Sequence, residues 1–156
     1  MIRLGICTAV DNAELMKKAG YEYVELPFSS VAAMTDETFL ELKKKADKAP
    51  LPIEAMNSML PGDFVLCSPD GTSERLKEFL ERGFSRAESL GVKIVVFGAG
   101  RARNRLEGMS EEEGYDWLEK YLRMAAPLAE NHGIRIAIEP LRAQESNIIN
   151  HVKEAR

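Results

Sequence analysis

Short apolar runs alternate along the chain with longer segments in which apolar residues recur at helical spacing. Ile2-Arg3-Leu4-Gly5-Ile6-Cys7 alternates as a first strand. Asp11-Asn12-Ala13-Glu14 has the capping-box pattern, and Leu15, Met16 and Ala19 form the apolar stripe of the helix it would open. Tyr21 to Leu26 is a second strand ended by Pro27, and Thr35 or Asp36 caps a helix to Lys48 with Phe39, Leu40 and Leu42 turned inward. Pro52 to Asn57 reads as a third strand, followed by an unusually apolar loop from Met59 to Phe64. Thr72 or Ser73 opens a helix carrying Leu76, Phe79, Leu80, Phe84, Ala87 and Leu90. Val92 to Phe97 is an unbroken apolar run, as expected of a parallel strand covered on both faces. A glycine- and arginine-rich loop, GAGRARNRLEGM, comes next. Ser110 to Glu113 is a second capping box, opening a helix through Trp117, Tyr121 and Leu128 to Asn131 that Pro127 should kink. In the fifth strand Ile134, Ile136 and Ile138 alternate with Arg135 and Ala137, and Pro140, with no N–H to donate, stops the ladder.

Three junctions share one form. Ala19-Gly20-Tyr21, Leu90-Gly91-Val92 and His132-Gly133-Ile134 each run from a helix end through glycine into a strand, which suits the left-handed position closing a helix. Strand, helix and strand joined by such short turns make right-handed βαβ units and an α/β fold. The last four strands begin near residues 22, 52, 92 and 134, a stride of about 30 to 40 residues that fits a doubly wound sheet or a TIM barrel. Beyond the fifth strand, Ile148, Ile149, Val152 and Ala155 make a helical stripe that stops at Arg156 without a cap. That pattern reads as a chain cut within the helix after strand five.

Composition narrows the function classes. The 156 residues carry a net charge of −4 and are 45% apolar. No basic run is sustained, which argues against nucleic acid as a partner, and Lys43-Lys44-Lys45 reads as a solvated helix face. No apolar run reaches membrane-spanning length and no secretory signal precedes the first strand, so a cytoplasmic location is the expectation. Cys7 and Cys67 lack metal spacing and read as free thiols.

The chemistry centres on the stretch from Gly133 to Asn150. Glu139 ends the fifth strand, and in a parallel α/β protein a strand's carboxyl end opens into the crevice where ligands bind. Glu139 is read as a site carboxylate, against the plainer reading of an ion pair with Arg142 or Arg135. Glu145 lies six residues on and either contacts substrate or caps the last helix, for which Ser146 and Asn147 also compete. Glu25 sits at another strand end. Arg101, Arg103 and Arg105 either bind a phosphate or acidic sugar or are solvated. The loop from Met59 to Phe64 either closes over substrate or packs on a partner subunit. Gly98-Ala99-Gly100 is too short for a dinucleotide fingerprint, which excludes NAD.

The runs LGVKIVVFGAGRAR and IEPLRAQESNIIN resemble the sugar phosphate isomerase/epimerase family of the xylose isomerase-like TIM-barrel superfamily. The resemblance implies a single domain over 1–156 that forms the first five βα units of a (β/α)8 barrel. It further implies a metal-dependent sugar or sugar phosphate isomerase or epimerase acting through an enediolate. Glu139 takes the place of a glutamate that ligates the divalent metal, Mn²⁺ or Mg²⁺, and works as acid or base. Glu145 matches a glutamate that contacts the sugar, and Asn57 and Arg103 are expected to line the pocket. The family's remaining ligands come from strands six to eight, outside this chain. His132 falls at the opposite face, and His151 on the final helix, turned outward. The implied partner is a small sugar, with homo-oligomerisation of the full-length protein. Two alternatives stay open: an inosose-type dehydratase on the same framework, and a non-catalytic half-barrel assembly module.

Overall fold

Each of the three junction glycines closes its helix in the left-handed region, with φ of 94° at Gly20, 84° at Gly91 and 65° at Gly133. The computed structural model describes residues 2–155. Five parallel strands lie in sequence order in one sheet: β1 (Gly5–Cys7), β2 (Tyr23–Pro27), β3 (Ile53–Asn57), β4 (Ile94–Phe97) and β5 (Arg135–Ile138). Among the described residues, β1 and β5 have one unpaired edge each. The helices are α1 (Ala13–Lys18), α2 (Phe28–Ala33), α3 (Asp36–Ala46), α4 (Glu74–Ser89), α5 (Gly100–Arg103) and α6 (Glu111–Asn131).

Alternation along the strands divides the sheet into two faces. Val24, Leu26, Met56, Val95 and Phe97 are buried under the helices. Partners in register on the other face are Cys7 with Glu25, Pro27 with Asn57, and Val96 with Ala137. Continued two residues beyond Ala137, that face ends at Glu139. The strand ends therefore present Cys7, Glu25, Asn57 and Glu139 together on the side turned away from the helices. A register shift between Val24 and Glu25 adjusts β2 to β3 just before this row.

Several local expectations change. Asp11 does not form a capping box: a 3₁₀ turn (Val10–Asn12) precedes α1, and Asp11 pairs instead with Lys45 of α3 at 2.9 Å. Leu40 is 55% exposed; Phe39, Leu42 and Ala46 carry the inner side of α3. α2 sits where sequence patterning gave no helix, and buried Arg86 of α4 caps its C-terminal end by donating to the carbonyls of Val31, Ala32 and Met34. The loop from Met59 to Phe64 packs inward: Met59 accepts from the buried Tyr121 hydroxyl, and Phe64 lies between Phe79 and Arg75. The second capping box is present in full, with the Ser110 hydroxyl accepting from Glu113 N–H and the Glu113 carboxylate accepting from Ser110 N–H. The stripe from Ile148 to Ala155 is not a helix. It forms turns, because the side chains of Ser146 and Asn147 bond the neighbouring loop rather than a helix terminus. His151 is exposed on one of these turns.

His132, at the end of α6, binds α6 to α4 through Nδ1 to Glu88 at 2.6 Å and Nε2 to Glu81 at 3.2 Å. Its bond to Glu88 holds the imidazolium above its ordinary pKa, burial opposes this, and Glu81 adds to it. A raised folded-state pKa stabilises the fold fully below the unfolded value of about 6.5 and loses that contribution as pH rises through the folded value. Both carboxylates are about half exposed, so the effect is small, about 1 kcal/mol or less. His132→Ala should lower the urea midpoint at pH 6 and leave a smaller difference at pH 9. An equal difference at both pH values contradicts this.

Candidate functional site

The loops after β4 and β5 are locked into one another. Asn147 receives the Arg105 N–H on its Oδ1 at 2.8 Å, donates Nδ2 to the Arg105 carbonyl at 3.1 Å, and donates its own N–H to Asn104 Oδ1 at 3.1 Å. Arg105 returns two guanidinium donors to the Asn147 carbonyl. Asn150 ties its own loop shut with bonds to the carbonyls of Leu141 and Ser146.

Arg103 stands at the centre of this junction. Its side chain is fully buried. Its guanidinium donates to the carbonyls of Phe97 (3.2 Å), Glu139 (2.8 Å) and Ile149 (3.1 Å) and to the Ser146 hydroxyl (3.3 Å). Burial pushes its pKa down, an effect the Glu139 carboxylate partly offsets; an arginine remains charged nonetheless. Expected to line the pocket, Arg103 instead lies beneath it, where its fork of donors suits several convergent carbonyls. Of the three loop arginines, only the exposed Arg101 borders the cleft.

Above this junction is an open cleft of about 780 Å³ whose lining includes Asn57, Ser58, Gly98, Glu139, Gln144 and Glu145. The Glu139 carboxylate lies so close over Gly98 that a Cβ there would meet it. Gly100 is equally constrained, since its Cβ would collide with the Glu145 carbonyl. Glu139 forms no ion pair among the described residues: Arg142, its candidate partner, pairs with Glu145 at 3.2 Å. Ser58 and Ala99, both on the cleft wall, hold φ of 47° and 38°. Such left-handed non-glycine residues cost of order 1–3 kcal/mol each and cluster at functional sites.

On the far wall Asn57 Nδ2 donates to Cys7 Sγ at 3.2 Å. Burial, followed by the negative charge of Glu25, pushes the Cys7 thiol up, and Glu139 acts in the same direction. Thus Glu25 belongs to the same row as Glu139. Its place at a strand end was the only sequence signal for this.

The sequence profile described as xylose isomerase-like TIM barrel matches residues 13–156. The chain belongs to this family. A comparison with curated protein sequences finds no match. Among solved structures, it is similar to D-psicose 3-epimerase in the presence of D-fructose, with a TM-score of 0.77, 18% identity and coverage of 98% of this chain and 57% of that one. It also resembles 3-keto-D-glucoside 4-epimerase from E. coli, at TM-score 0.73, 18% identity and coverage of 97% and 62%. A third is a sugar phosphate isomerase/epimerase from Parabacteroides distasonis, at TM-score 0.60, 19% identity and coverage of 87% and 50%. At such identities these establish the fold. This chain corresponds to the N-terminal portion of the barrel and spans about half to 62% of the length of these structures.

In this family member, the strand ends supply two carboxylates, Glu25 and Glu139. Among the described residues no three His, Cys, Asp or Glu side chains come together to hold an ion. Glu139 alone does not make a metal centre. No helix is long and apolar enough to cross a membrane, among the described residues.

Removing the Arg103 fork strands buried carbonyls, so Arg103→Met should cost roughly 2–4 kcal/mol in urea unfolding. Arg101→Ala should stay within about 0.5 kcal/mol. Equal losses would contradict the separate roles assigned to these neighbours.

Proposed function

We propose that this chain forms the first part of a metal-dependent sugar or sugar phosphate isomerase or epimerase, which moves a proton on a carbon next to a carbonyl through an enediolate. The observation that carries this reading is the Glu139 carboxylate. It stands at the end of β5 on the face turned from the helices, over Gly98, free of any ion pair among the described residues. The three structural neighbours above are named as epimerases or as an isomerase/epimerase, and the name 3-keto-D-glucoside 4-epimerase puts a keto group beside the inverted carbon.

In this reading Glu139 takes or returns the proton as general base or acid. Glu145 accepts from a sugar hydroxyl, with Arg142 holding the carboxylate from the solvent side. Asn57 spends one amide N–H on Cys7, which fixes its side chain and leaves its carbonyl oxygen and second N–H for a hydroxyl. Glu139 would be one ligand of a Mn²⁺ or Mg²⁺ ion whose other ligands lie outside these 156 residues, and the ion would supply positive charge beside the reacting carbonyl.

With the barrel completed, Glu139→Gln should lower kcat by a hundredfold or more, the usual contribution of a positioned base. Gly98→Ala should lower it by about tenfold or more by displacing the carboxylate. Because the displaced group is a side-chain tip, Gly98→Ala should cost less than about 1 kcal/mol of stability. Steady-state epimerisation assays beside urea unfolding measure both effects. Full activity in Glu139→Gln contradicts the reading.

A further inference from the structure

A second cleft opens beside the first. It holds about 550 Å³ over the ends of β1 and β2, beneath α2 and α3. Its floor is apolar and buried, made by Val10, Leu26 and Val31, with Met34 and Leu42 as half-buried walls. Asn57 lines both clefts. The side chain fixed by Cys7 is thus common to the two linings, with Glu25 at the same end of the second cleft.

The two arms differ in chemistry. The Glu139 arm is lined by carboxylates, amides and backbone, as a polyhydroxylated ring requires. The α2–α3 arm offers aliphatic surface ringed by three carboxylates, Asp11, Glu25 and Glu41. Its one cation, Lys45, is already paired with Asp11 at 2.9 Å. A phosphate there would face uncompensated negative charge. A neutral apolar group would bury area on Leu26, Val31 and Met34 without adding charge beside the carboxylates.

We propose that the α2–α3 cleft receives the apolar substituent of a glycoside whose sugar ring occupies the Glu139 cleft. The substrate class is then a sugar carrying a small neutral aryl or alkyl group, not one phosphorylated at that end. This inference rests on the sugar-site reading above and adds the second arm to it. Asn57, common to both linings, carries it, because a ligand filling both clefts must pass that residue.

The test uses the protein with its barrel completed and saturation-transfer NMR or calorimetric titration with four probes: p-nitrophenyl β-glucoside, methyl β-glucoside, glucose 6-phosphate and p-nitrophenol. The aryl glycoside should bind at least tenfold tighter than the methyl glycoside, and the phosphate no better than the methyl glycoside. Ser30→Trp and Met34→Trp, which fill the second cleft from α2, should abolish the aryl advantage and leave methyl glycoside binding unchanged. Ser30 is exposed, so that variant keeps its fold. Equal affinity for aryl and methyl glycosides overturns the second arm while leaving the sugar site standing. If p-nitrophenol alone binds as tightly as its glucoside, and Glu139→Gln changes neither, the cleft is a bare apolar pocket and the sugar-site reading fails. Absence of binding by all four probes overturns both.

Discussion

The arrangement depends on one buried guanidinium. A charge taken out of water costs several kcal/mol unless it is well hydrogen-bonded, and all three guanidinium nitrogens of Arg103 donate, to three carbonyls and a hydroxyl drawn from both loops. Those acceptors cannot separate without stranding the charge. The loop after β4 and the loop after β5 therefore behave as a single body, and the carbonyl of Glu139 is one of its fixed points. The same fork holds the Ile149 carbonyl, at a β-branched residue with φ of 56° that would otherwise relax.

From that anchor the site follows outward. Arg103 sets the backbone at Glu139, while Gly98 leaves the space into which its carboxylate fits. Arg105 and Asn147 close the loops above, and Gly100 permits the close approach to the Glu145 carbonyl. The parallel sheet does the rest: residues in register share a face, so Cys7, Glu25 and Asn57 arrive beside Glu139 without any loop having to carry them. Left-handed residues at Ser58 and Ala99 show that this geometry is imposed by its surroundings, not by local preference.

The sequence carried much of this, unevenly. Strand positions and junction glycines were legible because alternation and left-handed closure are local properties. So was Glu139, because strand-end placement follows from the same periodicity. Arg103 was misread, since nothing in GAGRARNRLEGM distinguishes an arginine that meets ligand from one that sinks among carbonyls of a loop 36 to 46 residues away. Ser146 and Asn147 resembled helix caps for the same reason: their hydrogen-bond capacity was visible, their partners were not. The apolar loop from Met59 to Phe64 invited a lid or an interface, yet Tyr121 and Phe79 gave it a place in the core. Helix α2 was invisible because its closure depends on Arg86, more than fifty residues downstream.

Native-state hydrogen exchange on the 156-residue chain tests the central claim, that the two loops form one unit holding Glu139. The informative amides are Glu139 (to Phe97), Leu141 (to Ile149), Arg105 (to Asn147 Oδ1) and Asn147 (to Asn104 Oδ1). They should open together, with a common free energy close to that of the β4–β5 ladder. Independent, fast exchange at Arg105, Leu141 and Asn147 beside a protected ladder would show that the loops move separately and that Arg103 does not hold the carboxylate in place.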